Sequence, residues 1–164
     1  MTQIITLAAA FDEICRIDAP LNVRLAAYAD KLRELNSPFA KAYDHLVGRL
    51  RAGKAGAQAP AVGEIMPPFL LPTEPVRLVS LDELTATGPV VVSFDRGHWC
   101  PFCRINLRSI ADFRDELEVR GAQVVSIIPD RQEFAQRLRS ESFDKLYVLT
   151  DIDNGYALSL GLTL

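Results

Sequence analysis

Cysteine is scarce: three in 164 residues are too few for a disulfide scaffold in a chain of this size. Runs of lysine or arginine are missing as well. With 18 basic against 21 acidic side chains and a net charge of -3, the chain lacks the electrostatic footprint of a nucleic-acid binder. Apolar runs stop well short of a membrane span. The opening MTQIITLAAAFDEIC carries no cation ahead of its apolar patch and is interrupted at Asp12 and Glu13. The expectation is a cytoplasmic protein with neither nucleic acid nor membrane among its partners. A second cysteine cluster is absent too. Structural zinc needs four ligands, and one cysteine pair with one nearby histidine does not supply them, so no metal or other cofactor is expected.

What is present suffices for one sizeable core: 49% of the residues are hydrophobic and 24% charged. Residues 1–52 read as an arm of three short helices. Ile4, Leu7, Phe11 and Ile14 form one apolar stripe, Leu25, Ala29, Leu32 and Leu35 a second, and Phe39, Tyr43, Leu46, Val47 and Leu50 a third. Each stripe has to be buried, against the main domain or a second subunit. Ser37 and Pro38 fit the N-cap and first position of the third helix. Cys15 follows the first stripe and reads as a small buried hydrophobe; His45 lies among charges and reads as solvated. The Gly- and Ala-rich residues 53–64 mark a linker.

From residue 65 to 164 short β-type runs alternate with helical ones. VRLV, PVVVSF, AQVVSII and LYVLT read as strands; SLDELTA, residues 103–120, residues 131–140 and NGYALSLGL read as helices, with Gly121 as a stop. Such alternation predicts an α/β domain with a mostly parallel sheet. No internal repeat is visible.

The chemistry concentrates in SFDRGHWCPFCRINL, residues 93–107. Cys100 follows a strand and Cys103 opens the next helix, at the carboxyl end of a sheet strand where α/β proteins place ligands. The positive end of a helix favours thiolate over thiol, most for an exposed first cysteine. Cys100 is therefore the expected nucleophile, and Cys103, one turn on, the resolving thiol. Pro101 fits the first helical turn, and Trp99 with Phe102 shields the sulfurs. Arg96 and Arg104 flank the pair, as thiolate-stabilising cations or as partners in surface salt bridges. His98 either tunes or shuttles a proton for Cys100 or is a turn residue exposed to water.

The motifs VGEIMPPFLLP, VRLVSLDELTATGPVVVSFDRGHWCPFCRINLRSI, GAQVVSIIPD and LYVLTDIDNGYALSLGL together resemble the alkyl hydroperoxide reductase/thiol-specific antioxidant (AhpC/TSA) family, in its branch with an RG-x-WCP-[YF]-C signature. The resemblance covers about residues 60–162. It implies a thioredoxin fold, a peroxidatic Cys100, a resolving Cys103, and an antioxidant peroxidase cycle. In the peroxiredoxin loop Pro-x-x-x-Thr-x-x-Cys, the Thr orients the peroxide; Ser93 and Gly97 stand at those Pro and Thr positions here. The family continues with a cis-proline segment, a strand pair and a final helix, so this chain is expected to be truncated after GLTL.

Three functions remain open at this point. The first is a peroxiredoxin-like thiol peroxidase taking a hydroperoxide and a thiol reductant, either a thioredoxin- or glutaredoxin-type protein or a small thiol. The second is a thiol-disulfide oxidoreductase, and the third a non-catalytic binding or assembly module. Because PVVVSF reads as a strand covered on both faces with one edge lacking a partner, a homodimer is expected.

Overall fold

A computed structural model describes residues 6–74, 77–142 and 146–162. The chain divides into two compact units, Met1–Ala55 and Gly56–Leu164. In the first, α1 (Leu7–Arg16) begins at Thr6, whose Oγ1 accepts the Ala9 N–H at 3.1 Å. It packs on α2 (Leu21–Glu34), with Phe11 meeting Tyr28 edge to face at 6.2 Å between ring centres. Phe11 and Ile14 of the first stripe and Ala29 and Leu32 of the second are buried; Ile4 lies outside the described residues. Cys15 is only half-buried, one position past that face.

α3 (Pro38–Ala52) starts as its sequence implies, with Ser37 Oγ accepting the Phe39 N–H at 3.2 Å and Pro38 in the first turn. Its stripe is only partly covered: Tyr43, Leu46, Val47 and Leu50 are half-buried. No α3 residue is buried, and Phe39 remains 67% exposed. An apolar period is necessary for burial but does not supply a surface to bury against. His45 is exposed, as read.

The second unit is built on a five-stranded sheet in the order β2-β1-β5-β4-β3. β1 (Leu70–Thr73) and β2 (Arg77–Ser80) form an antiparallel pair, followed by the short α4 (Leu81–Thr85). β3 (Val90–Phe94) leads into α5 (Pro101–Ala111) and α6 (Arg114–Val119), then β4 (Gln123–Ile128), α7 (Gln132–Ser142), β5 (Leu146–Thr150) and α8 (Gly155–Ser159). β3, β4 and β5 run parallel; β1 joins β5 antiparallel, where Thr73 Oγ1 donates to the Val148 carbonyl at 2.8 Å. The result is a mixed, mostly parallel α/β sheet.

Alternation along β4 sorts the core. Val124 and Ile128 face Leu107, Ala135 and Leu138 of α5 and α7, while Val125 and Ile127 face Phe69, Val79 and Leu84 on the other side. Each such side chain removed from water stabilises the fold by about 1.5–3 kcal/mol, so the central strands hold the site firmly.

Two sequence expectations need correction. The single helix over 103–120 is broken: Asp112 caps α5, Phe113 leaves the helical region at φ -99°, ψ 12°, and α6 restarts with Asp115 and Glu116 in its first turn. Those carboxylates sit where the helix dipole favours them, and Phe113 lies exposed at the break. Gly121 does end this segment, with φ +62°. PVVVSF is also less covered than its composition suggests: β3 is the edge strand among the described residues, and Val91 is 37% exposed. The fully enclosed strand is β4.

Candidate active site

Strand β3 delivers Asp95 and Arg96 to the carboxyl end of the sheet, and a turn closed by the Cys100 N–H on the Gly97 carbonyl, at 3.1 Å, carries the chain into α5. Gly97 has φ +133°, and a Cβ there would stand 2.7 Å from both Asp130 Oδ2 and Trp99 Nε1. Only glycine fits this turn without strain.

Cys100 is the N-cap residue of α5, and its Sγ accepts the Cys103 N–H at 3.4 Å. Pro101 follows in the first turn, where its missing N–H leaves no helical bond unmade. Arg96 serves both cysteines. Its Nη2 donates to Cys100 Sγ at 3.2 Å and its backbone N–H to Cys103 Sγ at 3.3 Å. A hydrogen bond from the Cys103 thiol pulls Cys100 down to about 6 against the opposing effect of burial, and the Cys103 N–H and the Arg96 charge add to the lowering. The same bond pushes Cys103 up, reinforced by burial and by the negative charges of Cys100 and Asp95. The two thiols are thus driven apart: one is a thiolate at neutral pH, the other keeps its proton. All three cysteines are free thiols.

Burial corrects one expectation. Cys100 has 0% of its surface exposed, so it is not the open thiol assumed from its place at a helix start. Trp99 lies at the surface, 59% exposed, with the Arg96 guanidinium 5.8 Å from its ring centre. Arg104 turns toward α7, its Nη2 2.8 Å from Glu141 Oε2. His98 leaves the turn toward the end of β4: its backbone N–H and its Nδ1 both reach Asp130 Oδ2, at 2.7 and 2.8 Å, and its ring stacks on Phe134.

Sequence reasoning passed over Asp95 and Asp130. Asp95 is buried behind Cys103, accepts Ser126 Oγ–H at 2.7 Å, and is raised by burial, while its hydrogen bonds with Ser126, Ser93, Cys103 and Asn106 pull the other way. Both aspartates lie just past the ends of the neighbouring parallel strands β3 and β4, the position that could have singled them out. Among the described residues no group of three or more His, Cys, Asp or Glu could hold a metal ion, and no helix is long and apolar enough to cross a membrane.

A Cys-x-x-Cys at the start of a helix, fed by a parallel strand of a sheet with helices on both faces, defines the thioredoxin-like fold, and solved structures share it. The thioredoxin domain of a thiol-disulfide oxidoreductase from Bacteroides vulgatus is 18% identical over 65% of this chain and 77% of that one, with a TM-score of 0.55. Mycobacterium tuberculosis AhpC is 20% identical over 63% and 68%, with a TM-score of 0.51. A hypothetical protein from Sinorhizobium meliloti 1021 is 20% identical over 63% of this chain, which spans 61% of that protein's length, with a TM-score of 0.54. No curated protein matches. The AhpC/TSA family matches residues 62–163, and the chain belongs to that family.

Proposed function

We propose that this protein is a thiol-dependent peroxidase in which Cys100 attacks a hydroperoxide and Cys103 resolves the product as a disulfide. The observation that carries the reading is the split pair of thiols: Cys100 lowered to about 6 beside Arg96, and Cys103 raised one turn away. The Cys100 thiolate attacks the distal oxygen and the O–O bond breaks, leaving sulfenic acid on Cys100 and an alkoxide that takes a proton to leave as alcohol. Arg96 stands where it stabilises the charge developing on oxygen. Cys103 then attacks the Cys100 sulfur; its proton passes to Asp95 and on to the departing hydroxide, which leaves as water. Two equivalents of a thiol reductant restore the pair. A fully enclosed Cys100 suits a small oxidant better than a protein disulfide, which needs an accessible sulfur. The reductant proposed is a small thiol or a thioredoxin- or glutaredoxin-type protein, and the proposed setting is cytoplasmic.

One observation favours a second reading, thiol-disulfide exchange. Gly97 stands where the peroxiredoxin loop has its peroxide-orienting Thr, and its φ of +133° disfavours any side chain there. Hydroperoxide consumption in the presence of dithiol, run beside insulin reduction, separates the two. Peroxide turnover with a Cys100–Cys103 disulfide supports the peroxidase; insulin reduction without peroxide turnover replaces it with the exchange enzyme. Inertness in both assays returns the chain to a non-catalytic module.

A further inference from the structure

His98 is held more closely than a turn residue requires. Asp130 Oδ2 accepts both its backbone N–H and its Nδ1–H, and the ring lies flat on Phe134, 4.2 Å between centres and 1° between planes. The backbone bond alone would pin the turn. The second bond and the stack fix the orientation and tautomer of the ring, because a carboxylate accepts and Nδ1 must then carry the proton. That leaves Nε2 as the nitrogen that exchanges a proton with its surroundings, and no described residue partners it. The side chains of His98 and Asp130 are 19% and 15% exposed, so the pair is shielded yet open to a small reactant. His98 lies two residues before Cys100, inside the turn closed by the Cys100 N–H.

The peroxidase cycle needs a proton at the oxygen that departs when Cys100 is oxidised. An alkoxide is a poor leaving group, Arg96 cannot give up a proton, and the Cys103 proton is retained for the resolving step. We propose that His98, oriented by Asp130, is the acid that protonates the departing alkoxide and the base that recovers that proton from the incoming thiol. This rests on the thiol peroxidase reading above. The Cys100 thiolate, hydroperoxide and protonated His98 give Cys100 sulfenic acid, alcohol and neutral His98. Cys103 and the sulfenic acid give the disulfide and water. Two reductant thiols, the disulfide and neutral His98 then give reductant disulfide, Cys100 thiolate, Cys103 thiol and protonated His98. Every proton and electron is returned within the cycle. Asp130 is a positioning residue, acting through His98.

The leaving group provides the test. tert-Butyl hydroperoxide expels an alkoxide that must be protonated, whereas peracetic acid expels acetate, which need not be. In single-turnover kinetics His98→Gln is expected to lose roughly 10²-fold toward the alkyl hydroperoxide, the usual worth of a positioned acid, and less than threefold toward the peracid. Asp130→Asn is expected to show the same bias at about a tenth of that size. Imidazole added to His98→Gly is expected to restore the alkyl hydroperoxide rate. Equal losses toward both oxidants, no loss, or a parallel fall in Cys100 alkylation by iodoacetamide would overturn the proposal. Wild-type protein that reacts with both oxidants beside an unaffected His98→Gln overturns this inference alone. Wild-type protein inert to both overturns the peroxidase reading and this inference with it.

Discussion

The Nη2 of Arg96 lies 3.2 Å from the Sγ of Cys100. A guanidinium in contact with a buried sulfur favours the thiolate by charge and by hydrogen bonding, and it persists through the reaction because it cannot deprotonate. Alkylation of Cys100 should rise with pH through about 6 and then level off, since the thiolate fraction falls as pH drops through that value. Arg96→Gln is expected to move the midpoint upward. Losing one charge-assisted hydrogen bond, worth about 1.5 kcal/mol, slows alkylation at pH 6 roughly sevenfold. A midpoint left unchanged by Arg96→Gln would assign the lowering to Cys103 and the helix start alone.

Cys103 faces Cys100 across one helical turn, with its N–H on the Cys100 sulfur. One equivalent of hydroperoxide should therefore give an intramolecular Cys100–Cys103 disulfide. Cys103→Ser should hold Cys100 as sulfenic acid and expose it to sulfinic acid formation under excess oxidant. Mass spectrometry after dimedone trapping reads both. A Cys100 left unmodified while methionines oxidise would favour the non-catalytic module.

Asp95 is a buried carboxyl raised by its surroundings and hydrogen-bonded with Ser126, Ser93, Cys103 and Asn106. Removing its capacity to take a proton in Asp95→Asn should lengthen the lifetime of the Cys100 sulfenic acid, by roughly 10²-fold. The first oxidation step should be spared. Stopped-flow fluorescence from Trp99 separates the two phases. Equal slowing of both phases would make Asp95 a packing residue only.

Much of this site was legible in the sequence because local rules set it. Cys100, Pro101 and Cys103 fall on a strand-to-helix boundary, and helix starts have known chemistry. The strands over 77–80, 90–94, 123–128 and 146–150 announced themselves as short apolar runs. What escaped depends on tertiary approach. Whether Arg96 or Arg104 meets the sulfur is decided by Glu141, more than thirty residues on, which takes Arg104. His98 was ambiguous because its partner Asp130 comes from just past the end of the neighbouring strand. β1 was missed because Pro72 sits within LLPT, a residue that sequence rules place outside central strands.

The glycine at 97 was legible as a departure from the peroxiredoxin loop, but its reason was not. At φ +133°, with Asp130 and Trp99 at 2.7 Å from any added Cβ, the backbone excludes a threonine. Gly97→Thr is thus expected to destabilise the protein by about 1–3 kcal/mol and to slow Cys100 oxidation, instead of restoring a peroxide-orienting hydroxyl. Urea unfolding together with single-turnover oxidation measures both. A stable variant with faster oxidation would show that the turn can be rebuilt around a side chain.

The last prediction comes from the free edge of β3. The Asp95 N–H donates to Ile127 and the Gln123 N–H to the Pro89 carbonyl, so the odd-numbered residues of this strand face β4. Alternation then turns the N–H and C=O groups of Val90, Val92 and Phe94 to the open side, where no described strand meets them. An edge of this kind, with no lysine or proline between Val90 and Phe94 to protect it, pairs readily with a second strand. A second copy of β3 running antiparallel about a two-fold axis satisfies both edges at once, because the surface is self-complementary. The expected state is a homodimer by light scattering, with slow hydrogen exchange at Val90, Val92 and Phe94. Val91→Lys places a charge on the partly exposed face of the edge strand and should return the protein to monomer, with fast exchange at those three amides and unchanged Cys100 alkylation. A wild-type monomer with the same three amides already protected would mean that the edge is covered within the chain, and the dimer would be ruled out.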